Sequence, residues 1–387
     1  MHFSEILGQE HIKNHLIKSG EQGRIPHAQL FIGPEGSGTL AMAIAYAQYI
    51  VCGNSGNENT NGNESCNIKF NQLAHPDLHF VYPTVVTDDV KSKPKSLDFI
   101  KDWRQFLNEN PYGGLFDWYK LLGVQNKQGE IRVDDAQEIL KALALKSLEG
   151  SYKIMIIWMA DKMNIAASNK LLKLLEEPTD KTVFILISEN EEDIIQTIRS
   201  RCQVLHFNGL PEAVITKALI FRENIDEKIA VKIAHQAQGN YNKALHIIKE
   251  DDEDYAFEKW FVDWVRTAFT AANKNPDKGK AAILELILWS DQIASLGRET
   301  QKKFLNYCID MFRQALLLNY QVDKLVYVEP TVEKFKLENF APFVNGNNIS
   351  EIFKELSDAS YHIERNGNAK IILTDLSIKL TRLIHKK

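Results

Sequence analysis

The sequence predicts an α/β protein: a parallel sheet with helices on both faces, then a small helical lid and an all-helical C-terminal domain. Through the first half of the chain, short apolar runs alternate with helical periodicity, which is the pattern of repeated β-α-β units. β-type runs almost vanish after Leu210. The length of 387 residues is enough for two or three domains. We therefore expect domains at residues 1–208, 209–250 and 255–387.

Three runs predict buried parallel strands: Ala28–Ile32, Lys153–Trp158 and Thr182–Ser188. Each run is almost wholly apolar, as expected for strands that are covered on both faces. Between the last two lies NIAASNKLLKLLEEP, in which Asn164 can cap a helix and Pro178 can end it. Strands that alternate with helices in this way predict a doubly covered sheet.

Beyond Leu210 we expect three short helices, in the runs LPEAVITKALIF, DEKIAVKIAHQAQ and NYNKALHIIKE, which together could form a bundle. An acidic run then extends from Glu250 to Tyr255. We interpret Glu250–Asp254 as a linker, and a solvated helix end is the alternative. The remaining chain has amphipathic helical periodicity, as in Phe304–Leu318 and Ile371–Ile384, but contains no motif.

Composition limits the function classes. The formal net charge of -5 and the pI near 6.2 argue against a strong stand-alone grip on nucleic acid, because such affinity comes mostly from Lys and Arg on phosphates. No apolar run approaches the roughly 20 residues that cross a bilayer, and the N-terminus does not have the pattern of a signal peptide. We expect a cytoplasmic protein with no membrane partner. The four scattered cysteines do not predict a disulfide framework and fit a reducing compartment.

The segment GPEGSGT, which starts at Gly33, has the glycines of a phosphate-binding loop but lacks two working side chains. The pattern G-x-x-x-x-G-K-[ST] places a Lys on the β- and γ-phosphates and a hydroxyl on Mg²⁺. Gly33, Gly36 and Gly38 are present, but Thr39 takes the Lys position and Leu40 the hydroxyl position. We therefore expect no ATP binding, although the loop amides leave weak anion binding open. The alternative is that the glycines only form a tight strand-to-helix turn.

A second requirement of such an ATPase, an acidic side chain at the end of a neighbouring strand, is also missing. The run KIMII is followed by Trp158 and Met159, and neither side chain can bind a metal or activate water. Asp161 comes later, and we expect it to cap or solvate the start of the following helix. Both segments therefore predict a chain that does not hydrolyse ATP.

Four runs together resemble the delta-prime subunits of the bacterial DNA polymerase III clamp loader, an AAA+ family. They are RIPHAQLFIGPEGSG (Arg24–Gly38), HPDLHF (His75–Phe80), ADKMNIAASNKLLKLLEEP (Ala160–Pro178) and TIRSRCQVLHF (Thr197–Phe207). The degenerate loop favours delta-prime over its ATP-hydrolysing sister subunits. The resemblance covers roughly residues 3–250. It implies a RecA-like AAA+ core, a helical lid and an α-helical collar that holds a ring of subunits together.

The resemblance also implies a trans-acting arginine, here Arg201, which lies between Ser200 and Cys202 and would act on ATP in a neighbouring motor subunit. A planar, permanently charged guanidinium can bridge phosphate oxygens as charge shifts, which is worth roughly a thousandfold or more in rate. The residues alone also allow a different role, in which Arg201 offsets the negative dipole at the end of a short helix. Arg199 is the nearby alternative for the finger.

Relatives usually carry a four-cysteine zinc module after the loop helix, and this chain departs from that pattern. Cys52 and Cys66 remain, at the ends of an Asn- and Gly-rich run that predicts a mobile surface loop. Structural zinc takes four ligands. His75 and His79 could be added, but we expect His75 to pack or hydrogen-bond within its own motif. We therefore expect no zinc and interpret the two cysteines as remnants of the module.

The lid lacks a third contact to ATP. Motor subunits place an arginine near the γ-phosphate in a Gly-x-x-Arg context, and in GNYNKAL that position is Asn242. The insertion-like segment Lys91–Lys120 has no assigned chemistry, and it either lies over the nucleotide site or packs on the surface. Most of four tryptophans are expected in cores: Trp103, Trp118, Trp260 and Trp264.

The leading interpretation is a non-hydrolysing AAA+ subunit that helps a motor assembly load a sliding clamp on primed DNA. The implied partners are the motor gamma/tau subunits and the delta subunit, with the clamp and primed DNA reached through the complex. One alternative is a divergent AAA+ ATPase with an atypical loop. The other is an AAA+ adaptor outside replication.

Overall fold

The computed structural model of the chain describes residues 1–53, 64–124, 127–144, 152–249, 252–272, 276–322, 325–328 and 330–386. The chain forms two compact units, and each is described by itself. One unit comprises Met1–Val124 and Gly129–His246, and the other comprises Gln125–Gln128 and Ile247–Lys387. The first unit holds the predicted core apart from residues 125–128 and the predicted lid up to His246, so the boundary between core and lid stays a prediction.

The first unit is built on a parallel sheet. Its strands among the described residues are β1 (Ala28–Ile32), β2 (Leu78–Val81), β3 (Lys153–Ile157), β4 (Thr182–Ser188) and β5 (Gln203–His206). The spatial order is β2-β3-β4-β1-β5, and every neighbouring pair is parallel. The carboxyl ends of the strands therefore lie along one edge of the sheet, which is where open α/β sheets bind ligands.

Helices cover both faces of this sheet. Those of the first unit are α1 (Glu10–Glu21), α2 (Thr39–Cys52), α3 (Glu64–Asn71), α4 (Ile100–Glu109), α5 (Leu115–Leu121), α6 (Val133–Ala144), α7 (Ile165–Glu176), α8 (Gln196–Arg199), α9 (Glu212–Glu223), α10 (Glu227–Ala237) and α11 (Tyr241–Ile248). On one face, Leu171 of α7 and Ile198 of α8 join the apolar cluster of β1, β3 and β4. On the other, Tyr46 of α2 accepts a hydrogen bond from Gln29 of β1 at 3.4 Å.

The three predicted strands are confirmed as β1, β3 and β4. All of their residues are buried, which explains why each sequence run is continuously apolar rather than alternating. β2 and β5 were not predicted. They are short strands at the two edges of the sheet, and polar residues such as His79, Gln203 and His206 interrupt their apolar pattern. The predicted α/β fold class, with helices on both faces of a parallel sheet, is thus confirmed.

Helix α7 begins and ends where the sequence predicts. The Asn164 Oδ1 atom accepts a hydrogen bond from the Ala167 amide at 2.9 Å, which caps the first turn. The helix ends at Glu176, because Pro178 disfavours helical geometry at the residue before it, Glu177. The three helices predicted beyond Leu210 are confirmed as α9, α10 and α11.

The second unit is helical in its described residues. Its helices are α12 (Asp252–Ala271), α13 (Pro276–Ala294), α14 (Arg298–Asn319), α15 (Leu337–Phe340), α16 (Ile349–Glu364) and α17 (Ala369–Leu383). Trp264 of α12 stacks on Trp289 of α13 with ring centroids 5.0 Å apart, and its Nε1 donates to Ser377 Oγ of α17 at 2.9 Å. These contacts join three helices in one apolar core.

Two further expectations concern the acidic run from Glu250 to Tyr255 and the tryptophans. Helix α12 begins at Asp252, so the second half of the acidic run is the start of a helix, whereas Glu250 and Asp251 lie outside the described residues. Trp103, Trp118 and Trp264 are fully buried, which confirms their predicted place in cores. Within the described part of the chain, no helix has the length and apolar character needed to cross a membrane.

Candidate functional site: a filled phosphate loop and an exposed arginine

The phosphate-loop segment joins β1 to α2 at the carboxyl edge of the sheet. Gly36 and Gly38 have φ angles of 73° and 91°, in the left-handed region that favours glycine. Thr39 is the first residue of α2, and Leu40 is buried. Leu40 therefore puts an apolar core side chain where a working loop has its Mg²⁺ hydroxyl. The loop keeps the glycine turn without the cation or the hydroxyl of an ATPase.

The space beside this loop is filled by the chain itself. The cavity lined by Gly33–Leu40 and Pro111–Gly114 measures about 20 Å³, which is room for about one water molecule. Sites for small organic ligands usually have a few hundred Å³ or more. Pro111–Gly114 belong to the segment between α4 and α5. Of the two expectations for Lys91–Lys120, the structure supports the one in which part of this segment lies over the loop.

Tyr112 is the largest side chain in this filling segment. Its ring lies so close to Gly38 that a Cβ atom there would be 2.8 Å from Tyr112 Cε1. The Tyr112 hydroxyl accepts a hydrogen bond from the Leu7 amide at 2.8 Å, and its ring meets Tyr241 edge-on at 5.2 Å. Burial raises the pKa of Tyr112, so the phenol stays neutral at physiological pH. The ring is thus fixed from three directions over the last glycine of the loop.

The lid also contacts the loop directly. A Cβ atom at Gly36 would collide with the Asn240 side chain, and the Tyr241 amide donates to the Gly36 carbonyl at 3.3 Å. From the other side, a Cβ atom at Gly114 would collide with the carboxylate of Glu35. Glycines at these positions therefore allow three separate segments to meet without a ligand between them.

A buried asparagine joins these segments. The Asn242 side chain donates to Glu35 Oε1 at 2.9 Å and to Asp117 Oδ2 at 2.7 Å, and it accepts from Asn110 Nδ2 at 2.6 Å. The other carboxylate oxygen of Asp117 lies 2.9 Å from His246 Nε2. We call these five residues the asparagine network. It ties the loop, the segment around α5 and the lid together, and it includes the position at which the resemblance implies an arginine in motor subunits.

The end of β3 offers no acidic group to this site. Trp158 and Met159 line the cavity, as the sequence predicts, and Trp158 packs on Trp103 with centroids 5.1 Å apart. Asp161 has a different role from the expected one. Its Oδ1 accepts from Ser188 Oγ at 3.0 Å, and its Oδ2 pairs with Lys162 at 3.0 Å, whereas Asn164 caps α7.

Arg201 lies at the surface, directly after α8. Its guanidinium donates from Nη1 to the Thr197 carbonyl at 2.9 Å and from Nη2 to Glu176 Oε1 at 2.6 Å. The Arg201 side chain is 36% exposed. The Thr197 contact satisfies a carbonyl of the short helix, which is the role that the residues alone allowed. The exposure leaves the same guanidinium accessible to an acceptor on another molecule.

Three residues near Arg201, namely Ser200, Cys202 and Arg199, have their own contacts or burial within the chain. The Ser200 hydroxyl donates to the Thr197 carbonyl at 3.2 Å and also lies 3.4 Å from Arg201 Nη1. Burial raises the pKa of the Cys202 thiol to about 12, so this cysteine is not poised as a nucleophile. Arg199, the alternative finger, pairs with Glu191 at 3.5 Å.

The cysteine expectation needs a correction. Cys52 and Cys66 form a disulfide, with Cα atoms 5.6 Å apart, whereas the sequence predicted unpaired remnants. The end of α2 and the start of α3 bring the two residues together, which their separation of 14 positions does not reveal. The loop predicted between them lies largely outside the described residues.

The His75 ring packs on the Phe70 ring with centroids 4.8 Å apart, and its Nδ1 accepts from the Asp77 amide at 3.2 Å, as predicted.

A metal site is not formed by the side chains that the structure describes. No group of three or more His, Cys, Asp or Glu residues is arranged to hold an ion in those parts of the chain. Tyr112, Glu35 and Asp117 had not been identified from sequence as site residues. Their contacts with the lid and loop arise only in the folded chain, and the NPYGG run signals no more than a turn.

Comparison with known proteins shows which family the chain belongs to. The chain is 28% identical over 244 residues to the DNA polymerase III subunit delta' of Bacillus subtilis, covering 63% of this chain and 60% of the relative. It is 27% identical over 230 residues to the DNA polymerase III subunit gamma/tau of Mycobacterium bovis, covering 59% of this chain and 32% of the relative. The matches thus span less than two thirds of either relative.

A solved Thermotoga maritima structure, of a DNA polymerase III gamma subunit-related protein, aligns over 97% of this chain and 99% of its own. The identity is 15% and the TM-score is 0.37, so the fold assignment rests on the sheet topology described above. The model of the family "DNA polymerase III, delta subunit" matches residues 8–211, which is more than half of the chain and contains the loop, the filling segment and Arg201. The chain therefore belongs to the DNA polymerase III delta subunit family, as its resemblance to delta-prime subunits predicts.

Proposed function

We propose that the chain is a non-hydrolysing AAA+ subunit of the cytoplasmic DNA polymerase III clamp loader. In this role it helps load the sliding clamp on primed DNA and supplies Arg201 in trans to ATP in a neighbouring motor subunit. The observation that carries the proposal is the filled phosphate loop. A subunit whose own nucleotide space is occupied by Pro111–Gly114 contributes structure and an arginine rather than turnover.

Two independent obstacles argue against nucleotide binding. The first is chemical, because Thr39 and Leu40 cannot make the charge-assisted contacts of a Lys and a metal-bound hydroxyl, worth roughly 1.5 to 3 kcal/mol each. The second is steric, because a cavity of about 20 Å³ has no room for a triphosphate. The asparagine network adds to the second obstacle, since it holds the lid against the loop.

The surroundings of Arg201 support a role outside the chain. A guanidinium has five N-H donors, and its three contacts with Thr197, Ser200 and Glu176 use at most three of them. At least two donors remain for phosphate oxygens, which a planar guanidinium binds in pairs. Such a group acts in trans only where it is exposed, as Arg201 is.

The proposed partners are the motor gamma/tau subunits and the delta subunit. The relatives named above include subunits of both delta' and gamma/tau type. In the second unit, Leu284 and Leu288 of α13 are 63% and 68% exposed, one helical turn apart. We propose that this exposed apolar pair is part of a collar surface that another subunit covers. We propose that clamp and primed DNA are reached through this complex.

A calorimetric titration of Mg-ATP into the full chain tests the proposal, together with co-assembly with motor and delta subunits. We expect no measurable binding of ATP and a stable complex. ATP turnover by the isolated chain that a Gly38→Val substitution abolishes would instead identify a divergent ATPase. A chain that fails to assemble with either subunit would point to an adaptor outside replication.

A further inference from the structure

Glu176 contacts the guanidinium of Arg201, the group that in the proposed function acts on ATP in a neighbouring subunit. It is the last residue of α7, and its Oε1 accepts from Arg201 Nη2 at 2.6 Å. The two residues are 25 positions apart, so the contact depends on how α7 and α8 pack. Glu176 has no part in the filled loop or in the asparagine network.

The two helices hold this pair in a fixed relation. Leu171, Leu174 and Leu175 of α7 and Ile198 of α8 are buried in the same apolar cluster. The Arg201 amide also donates to the Ile198 carbonyl at 3.0 Å, which fixes the backbone that carries the arginine. The backbones of Glu176 and Arg201 are therefore placed by a packed core, even though both side chains are on the surface.

We propose that Glu176 is a positioning residue, whose carboxylate holds the Arg201 guanidinium in the orientation that meets a triphosphate bound to a neighbouring subunit. This inference rests on the proposed function. An arginine side chain with a free surface rotamer must be ordered when it reaches a phosphate, and ordering it beforehand removes that cost from the reaction. The Thr197 carbonyl accepts from Nη1 and Glu176 accepts from Nη2. These two hydrogen bonds define the plane of the guanidinium, while its other N-H groups stay available.

The carboxylate also has an opposing effect, because its negative charge weakens the attraction of Arg201 for phosphate. Two substitutions separate these effects. Glu176→Gln keeps an oxygen that can accept from Nη2 and removes the charge, whereas Glu176→Ala removes both. Glu177 is the next residue and is also exposed, so Glu177→Ala is a matched control that removes the same charge from the adjacent position.

The test is the clamp- and DNA-stimulated ATPase of a reconstituted loader that contains the full chain with each substitution. We expect Glu176→Ala to slow about five- to tenfold the part of the hydrolysis that depends on Arg201, the scale of ordering one long side chain, with KM for ATP and assembly unchanged. Glu176→Gln should restore most of the rate, and Glu177→Ala should match the wild type. In an Arg201→Ala background, Glu176→Ala should cause no further loss.

Three results would overturn the inference. Equal increases in rate for Glu176→Ala and Glu176→Gln would mean that the carboxylate only screens the arginine. A normal rate for Glu176→Ala beside a strong loss for Arg201→Ala would leave the proposed function standing without a role for Glu176. A normal rate for Arg201→Ala itself would remove the proposed function and the inference together.

Discussion

Asn242 is the residue on which the contact between lid and loop most depends. It is almost fully buried, and its amide donates to the carboxylates of Glu35 and Asp117 while accepting from Asn110. The two carboxylates that meet at this amide repel each other, and the Asn242 amide offsets part of that cost by donating one hydrogen bond to each. The neutral side chain of Asn242 stands at the position where the resemblance implies an arginine in motor subunits.

Replacing Asn242 by Ala should make opening of the lid easier by about 2 to 3 kcal/mol, because partly buried carboxylates lose their shared donor. We expect amide hydrogen exchange in α9–α11 to accelerate by roughly thirty- to a hundred-and-fiftyfold, since local opening controls exchange. Asn14→Ala, an exposed change on α1 of the same unit, is the control and should leave exchange unaltered. Unchanged lid exchange in the Asn242 variant would show that the network does not hold the lid.

The sequence could identify which charge is missing at this position but not what takes its place. Asn242 lies 207 residues from Glu35 and 125 residues from Asp117 in the chain. Local pattern carries no signal for contacts over such separations. Arg201 could be proposed from the sequence because its tripeptide is local, whereas its contact with Glu176 needed the packing of α7 on α8.

At the scale of elements, the segment between α4 and α5 takes the place of a ligand. Pro111–Gly114 enter the space beside the loop, and Tyr112 packs against Gly38 and Tyr241. Restoring the missing loop residues should therefore not be enough to restore nucleotide binding.

We expect the double substitution Thr39→Lys with Leu40→Ser to leave Mg-ATP binding undetectable by calorimetry, because the space stays filled. Adding Tyr112→Ala should raise the affinity at least about tenfold over that of the doublet, since contacts worth roughly 1.5 to 3 kcal/mol each can then form. Adding Tyr112→Phe instead keeps the ring and should give no binding. Tight binding by the doublet alone would show that the segment yields to nucleotide and does not fill the site.

Elements with strong local signals could be predicted well. The apolar runs of β1, β3 and β4 and the capped helix α7 follow from burial and from Asn164 and Pro178. The edge strands β2 and β5 are only four residues long, and their polar residues leave too short an apolar run to be recognised without their partners. The Cys52–Cys66 disulfide was missed for a similar reason, because only the packed ends of α2 and α3 bring the two cysteines together.

At the scale of the whole molecule, the proposed role requires that each unit offer a surface to other subunits. In the second unit, Leu284 and Leu288 are exposed on α13, while Trp289 and Leu286 of the same helix are buried in the core. One face of α13 thus stabilises the unit, and the other face exposes Leu284 and Leu288 among polar residues such as Glu285 and Gln292.

Leu284→Glu and Leu288→Glu should each weaken assembly with motor and delta subunits by about tenfold or more, the scale of a central interface residue. Because both side chains are exposed, the free energy of unfolding should change by no more than about 0.5 kcal/mol. Sedimentation of the reconstituted loader and urea unfolding of the isolated chain measure the two quantities. Gln292→Glu, also exposed on α13, is the matched charge control. Normal assembly of both leucine variants would exclude this surface as the contact.

The central claim is that a chain with a filled nucleotide site serves the ATP of its neighbour through Arg201. The most direct test is rapid ATP hydrolysis by the reconstituted loader on clamp and primed DNA, comparing wild type, Arg201→Ala and Arg199→Ala. The account predicts that Arg201→Ala assembles normally and slows hydrolysis about a thousandfold at the one site that it serves, seen as a missing part of the rapid phase. Arg199→Ala should keep the full phase. A full rapid phase with Arg201→Ala would contradict the account and leave Arg201 as a cap for the end of α8.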